Sequence, residues 1–175
     1  MTTRRRRTTA LLAAPVLLLA AAGCGADLED RDPARTLVDL TFTDSSVPPD
    51  YHRSWQLDLD AEATVATVTD YEEVAHEDSV GTDPVAWQDF LDVLPDLVAA
   101  AEDADGDPDD CAGGTTLVVS VYDAEPGQVN RAQADEVSET TVGSCGGGDV
   151  IDRVLTAATP LAAPTELPAV ARTWP

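Results

Sequence analysis

The chain has 175 residues, with 33 acids against ten arginines and no lysine, for a formal charge of −23 at neutral pH. A field of that sign repels phosphodiester backbones and anionic headgroups, which excludes nucleic-acid binding. The length suits one domain, because a chain of about 150 residues buries about 68 to 70 percent of the surface its unfolded form exposes.

The first 24 residues run from a basic stretch, Arg4 to Arg7, through an apolar core, Ala10 to Ala22, to the small-residue sequence Ala21-Ala22-Gly23-Cys24. The apolar core is too short for a transmembrane helix, which needs about 20 residues to cross about 30 Å of hydrocarbon. It has the layout of a cleavable export signal. In this segment alone the chain resembles bacterial lipoproteins, whose lipobox ends in a cysteine. The resemblance implies removal of residues 1–23, a diacylglyceryl group (and hence palmitate-type acylation) on Cys24, and residence on the outer face of the bacterial cell membrane. Residues 24–36 are acidic and interrupted by Pro33, so they read as a tether from the lipid to a domain spanning 37–175. Fully extended, such a tether reaches about 35 to 40 Å.

From Leu37 to Thr43, Val38, Leu40 and Phe42 alternate with Asp39 and Thr41, the period of a half-buried strand. Tyr51, Arg53, Trp55, Leu57 and Leu59 then recur at every second position, and Ala63 to Tyr71 is rich in threonine and valine. These two segments predict an antiparallel hairpin over 51–71. Thr82-Asp83-Pro84 supplies a capping side chain and a proline at the first helical position. Trp87, Phe90, Leu91, Leu94 and Val98 follow at helical spacing, and Pro95 predicts a kink or break near Leu94. Glu102 to Asp110 reads as a loop, and Thr115 to Tyr122 as a central strand. A turn at 125–128 then leads to a second hairpin arm within 129–142. Gly146 to Gly148 read as turn and cap residues before a second, short helix over Asp149 to Ala158. In the proline-rich tail, Pro160, Pro164, Pro168 and Pro175 oppose a long final helix, while Leu161, Leu167 and Trp174 could pack as a wrap. The expected fold is α+β: an antiparallel sheet of about five to six strands, one main helix packed on a face, a second short helix and one disulfide.

The disulfide joins Cys111 to Cys145. With Cys24 acylated, these two remain as an even pair in an exported, oxidising setting. In the chain-entropy model the closed loop stabilises the fold by roughly 3 to 4 kcal/mol. Neither a Cys-x-x-Cys pair nor a cysteine activated by histidine is visible. The acidic run 102–110 offers Asp103, Asp105, Asp107 and Asp109 as weak calcium candidates. Alignment on Gly106 puts alanines at both the first and the twelfth loop positions, so the EF-hand pattern fails and a solvated loop is the simpler reading. His52 and His76 read as surface histidines, and no zinc-protease motif surrounds them. Ser144 lacks the Gly-x-Ser-x-Gly elbow. The glycine run at 146–148 lacks the lysine of a phosphate-binding loop.

Tyr51 and Arg53 are candidates for the rim of a partner surface, because aromatic and arginine side chains anchor interfaces. The segment VPPDYHRSW, with the CAGGTT and CGGG runs, also resembles small exported bacterial proteins of unassigned role. Three readings of function remain. The first is a noncatalytic binding or accessory module for an envelope protein or polymer, held to the membrane through Cys24. The second is a hydrolase using paired carboxylates, and the third is a calcium-dependent binding module. No catalytic constellation stands out.

Overall fold

In a computed structural model, the described residues are 28–45, 48, 52, 54–71, 73–104, 113–125 and 131–167. Six strands form one antiparallel sheet: β1 (Thr36–Thr43), β2 (Ser54–Leu59), β3 (Ala63–Asp70), β4 (Glu73–Gly81), β5 (Thr116–Asp123) and β6 (Asp135–Gly143). Their spatial order is β4-β3-β2-β1-β5-β6. The first four strands meander outward from the centre. Helix α1 (Pro84–Glu102) then carries the chain back, and β5 pairs with β1 on its other side. The β5–β6 hairpin and α2 (Ser144–Ala162) complete an α+β fold with both helices packed against the sheet.

The alternating pattern in β1 and β2 decides which face is buried. Val38 lies opposite Leu59, Leu40 opposite Leu57 and Phe42 opposite Trp55. All six side chains are almost wholly excluded from solvent. The Phe42 and Trp55 rings stack with centroids 5.2 Å apart, and aromatic pairs of this kind add to the area that they bury. The helices supply the other half of this core through Trp87, Phe90, Leu94 and Val98 on α1, and Val150, Val154, Leu155 and Ala158 on α2.

Helix α1 starts where its cap predicts: an Asp83 carboxylate oxygen accepts from the Val85 and Ala86 amides, both at 2.9 Å, with Pro84 opening the helix. It does not break near Leu94, but continues through Pro95 to Glu102. Buried Leu91 and Leu94 before the proline and Leu97, Val98 and Ala101 after it anchor both halves on the same core. That packing outweighs the roughly 3 kcal/mol penalty of an interior proline.

Helix α2 corrects the reading of the glycines and the tail. It begins at Ser144, so Gly146 to Gly148 belong to its first turns, and it runs through Pro160 to Ala162. Counted across a kink at Gly147, it has 19 residues, as α1 does. Ser144 fixes its start, donating its amide to the Thr115 carbonyl at 2.9 Å and accepting the Thr115 amide on its hydroxyl at 3.0 Å. Gly147 departs from helical geometry (φ −117°, ψ 22°), and a β-carbon there would sit 3.2 Å from Val142 and 3.3 Å from Ala104. The close approach of α2 to β6 and the end of α1 explains why a glycine stands there. Beyond α2, the Thr165 hydroxyl donates to the Ala162 carbonyl and Leu167 is fully buried, so the tail wraps the core at least that far. Trp174 lies outside the described residues.

Two further differences bear on function. Residues expected to belong to a free tether are docked from Leu28 onward. Leu28 packs against the core, the Trp87 indole donates to the Pro33 carbonyl at 3.1 Å, and Arg35 pairs with Asp123 at 3.0 Å. Strand β4, within an acidic stretch that was given no element, pairs with β3 along its length with one irregularity near Val68 and Thr69.

Candidate functional site

The face of the sheet opposite the paired hydrophobics carries a row of polar side chains in register across four strands. Asp58 on β2 lies opposite Asp39 on β1, Asp39 opposite Ser120 on β5, and Ser120 opposite Glu139 on β6. A short 3-10 turn, Arg131–Gln133, brings Arg131 to this row. Its guanidinium pairs with Asp39 and stands 3.9 Å from Asp58. Gln56 donates to Asp58 at 2.6 Å, and the Ser120 hydroxyl donates to Glu139 at 3.4 Å.

Asp39 is 9 % exposed. Burial, reinforced by the nearby Asp58 charge and opposed by Arg131, pushes its carboxyl up to about 6. Two carboxylates facing each other across strands, one titrating well above the usual range, are the raw material of acid–base chemistry. Here Arg131 engages Asp39 directly, and each side chain is mostly covered. Three described cavities lie elsewhere. One of about 510 Å³ lies between residues 28–33 and α1, a groove of about 420 Å³ lies between α1 and α2, and a third of about 310 Å³ borders Phe42, Ser144 and Ile151. The contacts Arg131 makes with Asp39 and Asp58 form a clasp that ties the 131–133 turn to the sheet.

The residues singled out from sequence fall in several places. Cys24, Cys111, Tyr51, Arg53, Asp105, Asp107 and Asp109 lie outside the described residues. Cys145 sits in the first turn of α2, and Asp103 caps the C-terminus of α1. Among the described residues, no group of three or more His, Cys, Asp or Glu is arranged to hold a metal ion. His52 is not a surface residue: it is only 8 % exposed, under the ring of Tyr71 at a centroid distance of 4.3 Å. Tyr71 reaches this position from a left-handed turn conformation, φ 55°, between β3 and β4. His76 is half-buried, with Nε2 3.4 Å from a Glu166 carboxylate oxygen.

Sequence reasoning missed the clasp. Asp39 and Asp58 looked like ordinary outward positions on alternating strands, and their juxtaposition depends on the β1–β2 register. One signal was available: Arg131 is the only arginine between Arg53 and Arg153, a natural partner for any carboxylate buried by the central strands.

No family model, curated protein or solved structure matches the chain.

Proposed function

We propose that this chain is an exported lipoprotein, held to the outer face of a bacterial membrane through acylated Cys24, and that its domain is a noncatalytic binding or accessory module. The address rests on the Arg4–Arg7, Ala10–Ala22 and Ala21–Cys24 pattern. The observation that carries the binding role is the asymmetry of the sheet: both helices pack on its hydrophobic side, and the opposite side presents polar side chains in register. No described helix is long and apolar enough to cross a membrane. Docking of the chain from Leu28 leaves a short leash after Cys24, so the domain works within a few residues' reach of the bilayer.

The Cys111–Cys145 disulfide belongs to the same proposal. With Cys24 committed to lipid, Cys111 and Cys145 remain as an even pair in an exported, oxidising setting, which supports the bridge. The carboxylate-hydrolase reading has Asp39 and Asp58 in its favour, but Arg131 occupies the position where a substrate would meet them. The calcium reading draws no support from the described residues.

Metabolic labelling with a palmitate analogue, together with membrane fractionation, tests the address. The wild type takes up label and sediments with membranes, and Cys24→Ala does neither. Intact-mass analysis showing an unmodified mature N-terminus would overturn the lipoprotein reading. Crosslinking in membranes that repeatedly returned no specific partner would count against the binding role.

A further inference from the structure

Strand β4 ends the sheet. β3 pairs with one side of it, and among the described residues no strand follows on the other. Such an edge offers a row of backbone donors and acceptors to any extended chain that can approach. The other edge, β6, has both helices packed against it, with Thr140 and Val142 buried. No residue of β4 is fully buried: each is either exposed or half-exposed.

The chemistry along this edge selects what can approach. Glu73 and Glu77 are exposed or nearly so and make no ion pair with the described residues. Asp78 accepts the Glu166 amide at 3.1 Å. The Nε2 of His76 on β4 lies 3.4 Å from another carboxylate, that of Glu166. Two large apolar side chains stand out at the entrance to the strand, Tyr71 at 52 % and Val74 at 62 % exposure. Val74, Glu77 and Ser79 lie opposite Thr69, Thr67 and Val65 of β3, and so continue the open polar face. A second copy of the chain is a poor occupant, because antiparallel pairing of β4 with its twin would set acids beside acids across the new ladder. Charge complementarity favours a cationic strand instead.

We propose that β4 is a docking edge that accepts an extended, lysine- or arginine-bearing segment of a partner protein as a seventh strand, with an apolar side chain of that segment resting on Tyr71 and Val74. Backbone pairing supplies affinity, while Glu73 and Glu77 supply the preference for a basic sequence. This rests on the binding-module reading and gives that module a partner chemistry.

The probe is a capped extended peptide with two valines at one end followed by lysines, added to the full chain in detergent and followed by fluorescence anisotropy and hydrogen exchange. Its counterpart carries N-methyl groups on alternate residues, which preserve the charge and remove the ability to extend a ladder. The unmodified peptide should slow exchange over residues 73–81 and bind at least about tenfold more tightly than the methylated one. The double substitution Glu73→Lys and Glu77→Lys should weaken it by a similar factor while leaving the circular dichroism unchanged. Equal binding of the two peptides, which is what general attraction to an acidic protein gives, would overturn the proposal. So would protection confined to 135–143, or protection of 73–81 that arises from self-association without peptide. The methylated-peptide comparison needs no substituted protein, so a folding defect in the variant leaves the test intact. Palmitate labelling reads the anchor separately: a lipidated protein indifferent to the peptide defeats the docking edge alone, whereas an unlipidated protein that binds it defeats the address alone.

Discussion

The two faces of the sheet are held by different physics. On the helix side, Val38, Leu40, Phe42, Trp55, Leu57 and Leu59 meet the helices in a continuous hydrocarbon layer that depends on volume and shape. On the other side, order depends on a few directional contacts, foremost the placement of Arg131 over Asp39 and Asp58. The first face should therefore respond to lost volume at any pH, and the second to charge and pH.

The largest effect should come from the packed face. Leu57→Ala removes a fully buried side chain between β1 and β3 and should cost about 3 kcal/mol, read as a lower denaturant midpoint that is independent of pH. The second sharpens the contrast. The Asp39 carboxyl titrates higher in the fold than the value near 4 of an unfolded chain, so its stabilising contribution is complete below about pH 4 and is lost as pH rises through about 6. The difference between wild type and Asp39→Asn should accordingly change by on the order of 2 kcal/mol between pH 4 and pH 7.5, measured by urea unfolding. A difference that stayed flat with pH would show that Asp39 does not govern the open face. Arg131→Ala should cost about 1 to 2 kcal/mol at pH 8, where it leaves an ionised Asp39 covered beside Asp58, and far less near pH 4 where Asp39 is neutral. The smallest lies outside both faces: Asp83→Ala removes the α1 cap and should cost about 1 kcal/mol, visible as a lowered Tm.

The same contrast explains what could be read from the sequence. Strands β1, β2 and β3 were visible because their alternation is the packed face itself, and α1 because Trp87, Phe90, Leu91, Leu94 and Val98 mark one stripe behind Asp83 and Pro84. Strand β4 was invisible because none of its side chains is fully buried and no apolar period results; its backbone pairing with β3 makes it a strand. The expected break at Pro95 and stop at Pro160 were local readings that tertiary packing overrode, whereas the turn read at Gly146 to Gly148 survives in part as the kink at Gly147. The clasp was hidden for another reason. It joins residues 39, 58 and 131, and no short window of sequence contains more than one of them.

The docked segment before β1 also sets how the fold would bear a load. A pull delivered from the N-terminal side enters at Leu28, meets the Trp87–Pro33 hydrogen bond and the Arg35–Asp123 pair, and passes directly into β1. β1 is an interior strand with β2 on one side and β5 on the other. Tension along it loads both hydrogen-bonded ladders in shear at once, whereas an edge strand pulled from its end peels away bond by bond. The strand nearest the proposed anchor is thus the one best placed to resist extraction.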